Sequence, residues 1–210
     1  MPKVKICGIT NAQDALWAAN LGADFIGLNF YGQSPRKVSV KHAKELASQI
    51  PPFVSVIGLF VDEPMESVRK IVKNVPLKMV QLHGSETSDY CREVKALGVK
   101  VIKALRLQKP LEAVDTEPYA GTVDFFLFDT YSTEEAGGTG EPFNWDWLVP
   151  AAQLSEPWFL AGGLTPANVL EAIKKAHPPC VDVCSGVEKS PTRKDYDAMK
   201  TFIQAAKSIR

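Results

Sequence analysis

Eight short apolar or β-branched runs, spread over the whole chain, constrain its fold more than any other feature of the sequence. A turn rich in Gly, Asp or Ser follows each run, and an amphipathic segment follows most of these turns. Near-continuous apolar runs are typical of strands covered on both faces, as the strands of a parallel sheet are. The predicted strands cover residues 3–7, 24–30, 54–61, 78–83, 99–106, 123–129, 158–162 and 180–185.

The segments between the runs carry the signals of helices. Ser39 is placed to cap a helix, and Pro64 suits a position in a first helical turn. Thr165 followed by Pro166 is typical of a cap and a first-turn proline. The predicted helices cover residues 11–21, 40–49, 64–74, 88–97, 111–120, 145–152, 166–176 and 194–208.

Eight strand–helix units in 210 residues predict an α/β protein with one domain over residues 1–210, a compact (β/α)8 TIM barrel. The alternative is an open, doubly wound sheet. That fold is expected to carry a glycine-rich dinucleotide-binding turn after its first strand. The turn here lies in the motif KICGIT at 5–10, which contains a single glycine. The barrel is therefore favoured, and its functional side chains are expected at the carboxyl ends of the strands.

The composition argues against several classes of partner. Basic and acidic residues are equal at 24 each, so the charge excess expected of a nucleic-acid binder is missing. No apolar segment has the length of a membrane span, and the N-terminus lacks the apolar stretch of a signal peptide. We therefore expect a cytoplasmic protein that binds neither nucleic acid nor a membrane. Its four cysteines lack the spacing of a zinc site, so reduced thiols are expected.

Reactive side chains and glycines follow the predicted strands. Cys7 ends the first run, His83 the fourth and Asp129 the sixth. For Cys7 alone, a buried structural thiol is the alternative. Glycine-rich loops offer backbone N–H groups to phosphate, which in barrels commonly binds after strands seven and eight. The sequence therefore predicts a phosphorylated small-molecule ligand. The predicted phosphate-binding residues are Gly162, Gly163, Cys184, Ser185 and Gly186.

Eight motifs follow one another over nearly the whole chain. They are KICGIT at 5–10, SPRKVS at 34–39, GLFV at 58–61, QLHG at 81–84, LFD ending at 129, GGTG at 137–140, AGGL at 161–164 and SGVE at 185–188. Together they resemble the motifs of the phosphoribosylanthranilate isomerases of tryptophan biosynthesis. The resemblance implies a (β/α)8 barrel without a cofactor or metal. It also implies an Amadori rearrangement of N-(5-phosphoribosyl)anthranilate to 1-(2-carboxyphenylamino)-1-deoxyribulose 5-phosphate.

The resemblance further implies that Cys7 is the general base and Asp129 the general acid. The reaction needs both, because the ring oxygen of the sugar must be protonated and the C2′ proton must then leave. Arg36 is expected to bind the anthranilate carboxylate, since a guanidinium matches a carboxylate at two points. A solvent-exposed loop charge is the alternative for Arg36.

Other candidates leave more room for alternatives. His83, Gly138, Thr139 and Gly140 are expected to line the substrate site, although a structural role suits His83 equally well. Cys184 stands where the family usually carries serine, which puts a hydroxyl contact with phosphate in doubt. Another phosphosugar isomerase, such as the aldose–ketose isomerase of the histidine pathway, and a non-catalytic phosphate-binding barrel are the alternative functions. Both a monomer and a homodimer fit the sequence.

Strand parity predicts one buried ion pair. If Cys7 points into the barrel, Lys5 does too, because alternate residues of a strand share a face. The same reasoning on the last strand places Asp182 on the inner face with Cys184. The first and eighth strands are neighbours in a closed barrel, and a buried ammonium requires a partner. We therefore expect Lys5 and Asp182 to pair below Cys7.

Overall fold

The computed structural model describes residues 1–130 and 144–209. Eight parallel strands pair in chain order, and the first pairs with the last, so the sheet closes into the predicted barrel. The strands are β1 Lys3–Ile6, β2 Phe25–Asn29, β3 Ser55–Phe60, β4 Met79–Leu82, β5 Lys100–Leu107, β6 Phe125–Thr130, β7 Trp158–Leu160 and β8 Cys180–Val183. Each of the eight apolar runs therefore overlaps one strand of the barrel.

Helices return the chain between the strands. The α-helices of the described residues are α1 Ala12–Leu21, α2 Val40–Gln49, α3 Met65–Asn74, α4 Ser88–Lys95, α5 Ala113–Thr116, α6 Val169–Ala176 and α7 Tyr196–Lys207. Short 3₁₀ helices cover Glu117–Tyr119, Trp145–Gln153 and Ser185–Val187. Ser39 caps α2 as predicted, since its side chain accepts the His42 N–H. Within the described ranges, no helix has the length and apolarity that a membrane span requires.

Two helix starts were predicted wrongly. Pro64 is the N-cap residue that precedes α3, so it lies outside the first turn. Thr165 does not cap α6, because its N–H donates to the side chain of Asn168 at 2.8 Å, and Asn168 in turn donates to the Gly163 carbonyl at 2.9 Å. These two bonds hold residues 166–168 as a turn, and α6 begins one turn later than the sequence predicts.

The last helix also begins later than predicted, because the chain first forms a hairpin. Strands β9 Glu188–Ser190 and β10 Arg193–Lys194 pair antiparallel between β8 and α7. Asp195 then caps α7 by accepting the Ala198 N–H at 2.8 Å. The hairpin was not predicted, and it brings Glu188 and Lys194 to the carboxyl end of β8.

The interior of the barrel changes from apolar to polar along the strands. An apolar layer is formed by a cluster of buried residues: Phe25, Ile57, Met79, Ile102, Ala104, Leu127, Phe159, Ala161 and Cys180. Beside this layer lie Lys5, Gln81 and Asp182, all buried. Lys5 faces Asp182 in the register of β1 and β8. The apolar layer therefore shields one side of the polar residues from water, while their other side faces the mouth of the barrel.

Candidate active site

A buried ammonium lies at the centre of the polar layer. Lys5 Nζ donates to Asp182 Oδ2 at 2.8 Å and to Gln81 Oε1 at 2.7 Å, and its charge interacts with the thiolate of Cys7. This geometry confirms the predicted pair of Lys5 and Asp182. Burial alone would lower the pKa of Lys5, but the negative charges of Asp182 and Cys7 outweigh burial and hold that pKa above its ordinary value. The side chain therefore stays charged.

The two carboxylate oxygens of Asp182 differ, because Oδ2 accepts a hydrogen bond from Lys5 and Oδ1 accepts none from the described residues. Its Oδ1 atom is buried and has no hydrogen-bond partner among the described residues. Burial raises the pKa of Asp182 to about 7, even though Lys5 opposes that rise. A buried oxygen without a partner costs free energy unless a donor reaches it. The pair with Lys5 thus leaves one oxygen of Asp182 without a hydrogen bond among the described residues.

From Gln81 the hydrogen bonds continue towards β6. Gln81 Nε2 lies 2.7 Å from His83 Nδ1, and His83 Nε2 lies 3.2 Å from Asp129 Oδ2. Gln81 and His83 share a face because they are two residues apart on β4 and its extension. The structure therefore brings together Asp129 and His83, two of the predicted site residues.

Cys7 lies one residue beyond β1, and its position follows from the β1–β8 pairing. Its N–H donates to the Val183 carbonyl at 2.8 Å, which extends the ladder by one residue and places Cys7 beside Cys184. A Cβ atom at Gly27 would lie 2.8 Å from the Cys7 sulfur. The glycine on β2 therefore provides the space that the thiol occupies.

The surroundings of Cys7 favour its thiolate. The hydrogen bond from the Cys184 thiol lowers the pKa of Cys7 most, and the positive charges of Lys5 and Lys194 lower it further, so that together they overcome the opposing effect of burial. The pKa of Cys7 lies well below the usual cysteine value. Cys184 shows the opposite shift, because its hydrogen bond to Cys7 and its burial raise its own pKa. Cys7 is thus the more acidic thiol of the pair.

A second charge cluster lies beside this pair of thiols. Arg36 binds Glu188 at two points, with Nε 2.8 Å from Oε1 and Nη2 2.7 Å from Oε2. Lys194 Nζ donates to Glu188 Oε1 and to the Cys184 carbonyl, both at 2.9 Å. Burial would raise the pKa of Glu188, but its bonds to the two cations lower that pKa overall. Glu188 is therefore a carboxylate that holds both cations in place.

Two backbone loops meet at the ends of β7 and β8. Gly162 and Gly163 follow β7 with φ angles of 84° and 64°, which side chains other than glycine rarely allow. Gly186 lies in the 3₁₀ helix after β8, and a Cβ atom there would collide with the Leu164 carbonyl oxygen. The close approach at Gly186 brings the two predicted phosphate loops side by side.

The predicted site residues of the described chain surround one end of the barrel. Gly138, Thr139 and Gly140 lie outside the described residues. Gln81, Glu188 and Lys194 belong to the site but were not predicted as site residues. Within the described part of the chain, no cluster of three or more His, Cys, Asp or Glu side chains is arranged to hold a metal ion.

The chain is similar over nearly its whole length to a known family of enzymes. The family model of N-(5'-phosphoribosyl)anthranilate isomerase matches residues 4–205. The chain belongs to this family. It is 46% identical to the N-(5'-phosphoribosyl)anthranilate isomerase of Trichlorobacter lovleyi over 208 residues, which is 99% of this chain and 98% of that one.

Solved structures of the family superpose on the whole chain. The phosphoribosylanthranilate isomerase of Thermotoga maritima has a TM-score of 0.89 at 41% identity, with all of both chains covered; the Thermotoga maritima enzyme is described as dimeric. Another family structure holds reduced 1-(o-carboxyphenylamino)-1-deoxyribulose 5-phosphate and has a TM-score of 0.86 at 38% identity, again over all of both chains. Family membership makes the protein an isomerase of tryptophan biosynthesis.

We predict that Cys184 sets the pH at which Cys7 reacts with iodoacetamide. The thiolate is the reactive form, so modification should accelerate as pH rises through the pKa of Cys7. Cys184→Ala removes the donated hydrogen bond and should move that rise to higher pH, whereas Cys184→Ser keeps a donor and should move it less. The measurement is an alkylation time course at several pH values, read by peptide mass.

The buried cysteines are internal controls for this experiment. Burial raises the pKa of Cys91 to about 11 and that of Cys180 to about 12, so both should react slowly at neutral pH. In the wild-type protein, Cys7 should also react faster than Cys184. If Cys7 is alkylated with the same pH dependence in Cys184→Ala and in the wild-type protein, the hydrogen bond from Cys184 to Cys7 is contradicted.

Proposed function

We propose that the protein converts N-(5-phosphoribosyl)anthranilate to 1-(2-carboxyphenylamino)-1-deoxyribulose 5-phosphate, with Cys7 as general base and Asp129 as general acid. The observation that carries this proposal is the pairing of two unlike groups at one barrel mouth. Cys7, just past the end of β1, has neighbours that favour its thiolate. Asp129, on β6, is hydrogen-bonded at Oδ2, and its Oδ1 has no hydrogen-bond partner among the described residues. The family relationship supports the same substrate.

The proposed reaction needs one proton donated and one removed. Asp129 gives its proton to the ring oxygen of the ribose as the bond from that oxygen to C1′ breaks, which leaves an iminium between C1′ and the anthranilate nitrogen. The Cys7 thiolate then takes the proton from C2′, and the electron pair forms the enolamine. The enolamine becomes the ketone when a proton reaches C1′ and the hydroxyl proton at C2′ leaves. Exchange with water returns Asp129 and Cys7 to their starting states.

Charged and polar groups around the two catalytic residues suit the rest of the substrate. Glu188 occupies the Nε and Nη2 edge of Arg36, so the Nη1 and Nη2 end of the guanidinium remains for the anthranilate carboxylate. A sugar hydroxyl that donates to Asp182 Oδ1 would satisfy that buried oxygen.

Backbone groups and nearby loops complete the proposed site. The phosphate binds backbone N–H groups of the loops that carry Gly162, Gly163, Cys184, Ser185 and Gly186. Since these contacts use the backbone, Cys184 can replace serine without loss of phosphate binding. Gly138, Thr139 and Gly140 are also proposed to contact the substrate.

We predict that Asp129→Asn lowers kcat by a factor on the order of 10² or more and changes KM little, because the amide keeps the shape but has no acidic proton to give. The assay follows the loss of substrate fluorescence with freshly prepared phosphoribosylanthranilate. Asp197→Asn, on an exposed position of α7, is the matched control and should retain normal turnover. Near-normal kcat for Asp129→Asn would refute the general-acid role, and conversion of only the histidine-pathway precursor by the wild-type protein would refute the proposed substrate.

We predict that Arg36→Met raises KM on the order of 10-fold or more with a smaller change in kcat, since a bidentate, charge-assisted contact with the substrate is lost. Arg36→Lys keeps the positive charge but loses the two-point hydrogen bonding of the guanidinium. Its KM should therefore lie between that of the wild-type protein and that of Arg36→Met. Lys37→Met removes a neighbouring exposed charge and should leave KM unchanged. If Lys37→Met and Arg36→Met raise KM equally, a general electrostatic effect replaces the proposed specific contact.

A further inference from the structure

An unbroken chain of hydrogen bonds crosses the barrel from β1 to Asp129. Its links are Lys5 Nζ to Gln81 Oε1 at 2.7 Å, Gln81 Nε2 to His83 Nδ1 at 2.7 Å, and His83 Nε2 to Asp129 Oδ2 at 3.2 Å. Lys5 and Gln81 are fully buried. Because solvent does not reach the side chains of Lys5 and Gln81, the polar groups of these two residues must be satisfied by protein partners.

The charge of Lys5 fixes the direction of the first two links. An ammonium can only donate, so the carbonyl oxygen of the Gln81 amide must face it. The amide nitrogen of Gln81 then faces His83, and this nitrogen can also only donate. The reversed amide would set an NH2 group against the ammonium at 2.7 Å, with no acceptor between them. His83 Nδ1 must therefore accept, which means that it carries no proton.

We infer that Lys5 and Gln81 select the Nε2-protonated tautomer of His83, and that His83 is a positioning residue which donates this N–H to Asp129 Oδ2. A neutral imidazole without a proton on Nδ1 carries it on Nε2, the nitrogen that faces Asp129. The opposite tautomer would place a lone pair of Nε2 against a carboxylate oxygen. The role of Asp129 in this inference rests on the proposed function, but the tautomer of His83 does not.

This arrangement has a direct consequence for proton transfer. The hydrogen bond from His83 stabilises the carboxylate that Asp129 becomes when it gives up its proton. It also holds the carboxyl group by Oδ2, so that Oδ1 is the oxygen that delivers the proton to the substrate. The chain itself conducts no proton, because the ammonium, the amide and the imidazole each keep their own hydrogens. Its effect is to orient the acid.

The first experiment reads the tautomer without any assay of activity. Two-bond ¹H–¹⁵N correlation spectra of the uniformly ¹⁵N-labelled protein at neutral pH distinguish protonated from unprotonated ring nitrogens. The chain has three histidines, and the signals that disappear in His83→Gln assign His83. We expect an unprotonated Nδ1 and a protonated Nε2. A proton on Nδ1, in either the neutral ring or the imidazolium, would overturn the inference.

A variant at Gln81 tests whether the chain imposes that tautomer. Gln81→Glu presents a carboxylate that still accepts from Lys5 but can no longer donate to His83, so Nδ1 should become protonated. The kcat should fall by roughly 10- to 100-fold, because a hydrogen bond to the charged form of the acid is lost, with KM nearly unchanged. Gln81→Met breaks the chain without adding charge and should leave a mixture of both tautomers.

The remaining outcomes separate this inference from the proposed function. Gln204→Glu makes the same chemical change on the exposed face of α7 and should alter neither the His83 spectrum nor kcat. If His83 has the expected tautomer but the protein does not convert phosphoribosylanthranilate, the proposed function fails and the tautomer assignment stands. If the protein is active and His83 keeps an unprotonated Nδ1 in both Gln81 variants, Gln81 does not set the tautomer and the inference fails.

Discussion

The buried ammonium of Lys5 is the interaction on which the rest of this site depends. It lies beside an apolar layer of the barrel, where an unpaired charge would be costly. It donates to Asp182 and Gln81, and its positive charge acts on Cys7. Removing one partner of such a buried pair typically costs about 3–5 kcal/mol. The charge is therefore kept, and each group that receives its hydrogen bonds is fixed in orientation. Through Cys7 it reaches the proposed base, and through Gln81 and His83 it reaches the proposed acid.

A second group of charges acts on the same mouth from the β8 side. Glu188 binds Arg36 and Lys194 together, and Lys194 also binds the carbonyl of Cys184. The hairpin that carries Glu188 and Lys194 thus holds the loop after β8 against the loop that carries Arg36. Cys7 and Cys184 lie beside these cations, which lower the pKa of both thiols. The hydrogen bond between the thiols has opposite effects on them, because it lowers the pKa of Cys7 and raises that of Cys184. Cys184 acts here as a hydrogen-bond donor, a task that a serine hydroxyl can also perform.

The sequence predicted the parts of this structure that follow from the spacing of apolar residues and from the alternation of side chains along a strand. The eight apolar runs predicted the barrel, and strand parity predicted the pair of Lys5 and Asp182 from the assumed inward direction of Cys7. The same parity argument applies to the fourth run, where Gln81 lies two residues before His83 and therefore shares its inward face. The argument was not applied there, so Gln81 was not predicted as a site residue. The signal for Gln81 was therefore present, because a buried amide beside a buried lysine needs both of its polar ends satisfied.

Other parts depend on contacts that a linear sequence does not display. Glu188 binds a side chain 152 residues away, and only the closed barrel brings Arg36 to it. Lys194 was assigned to a helix because nothing local marks the hairpin that precedes Asp195. The late start of α6 depends on the side chain of Asn168, which competes with the helix for backbone groups. Gly138 and its neighbours stay as sequence predictions.

The central claim, that one buried charge serves both proposed catalytic groups, is tested most directly by removing the charge together with its counter-ion. In the Lys5→Met/Asp182→Asn protein, no buried charge is left unpaired, and the ultraviolet absorbance of the Cys7 thiolate can be followed as a function of pH. The claim predicts that the thiolate forms at higher pH than in the wild-type protein, while Asp182→Asn alone, which keeps Lys5, leaves it at low pH. A thiolate transition at the same pH in all three proteins would show that Lys5 does not control the base, and would contradict the claim.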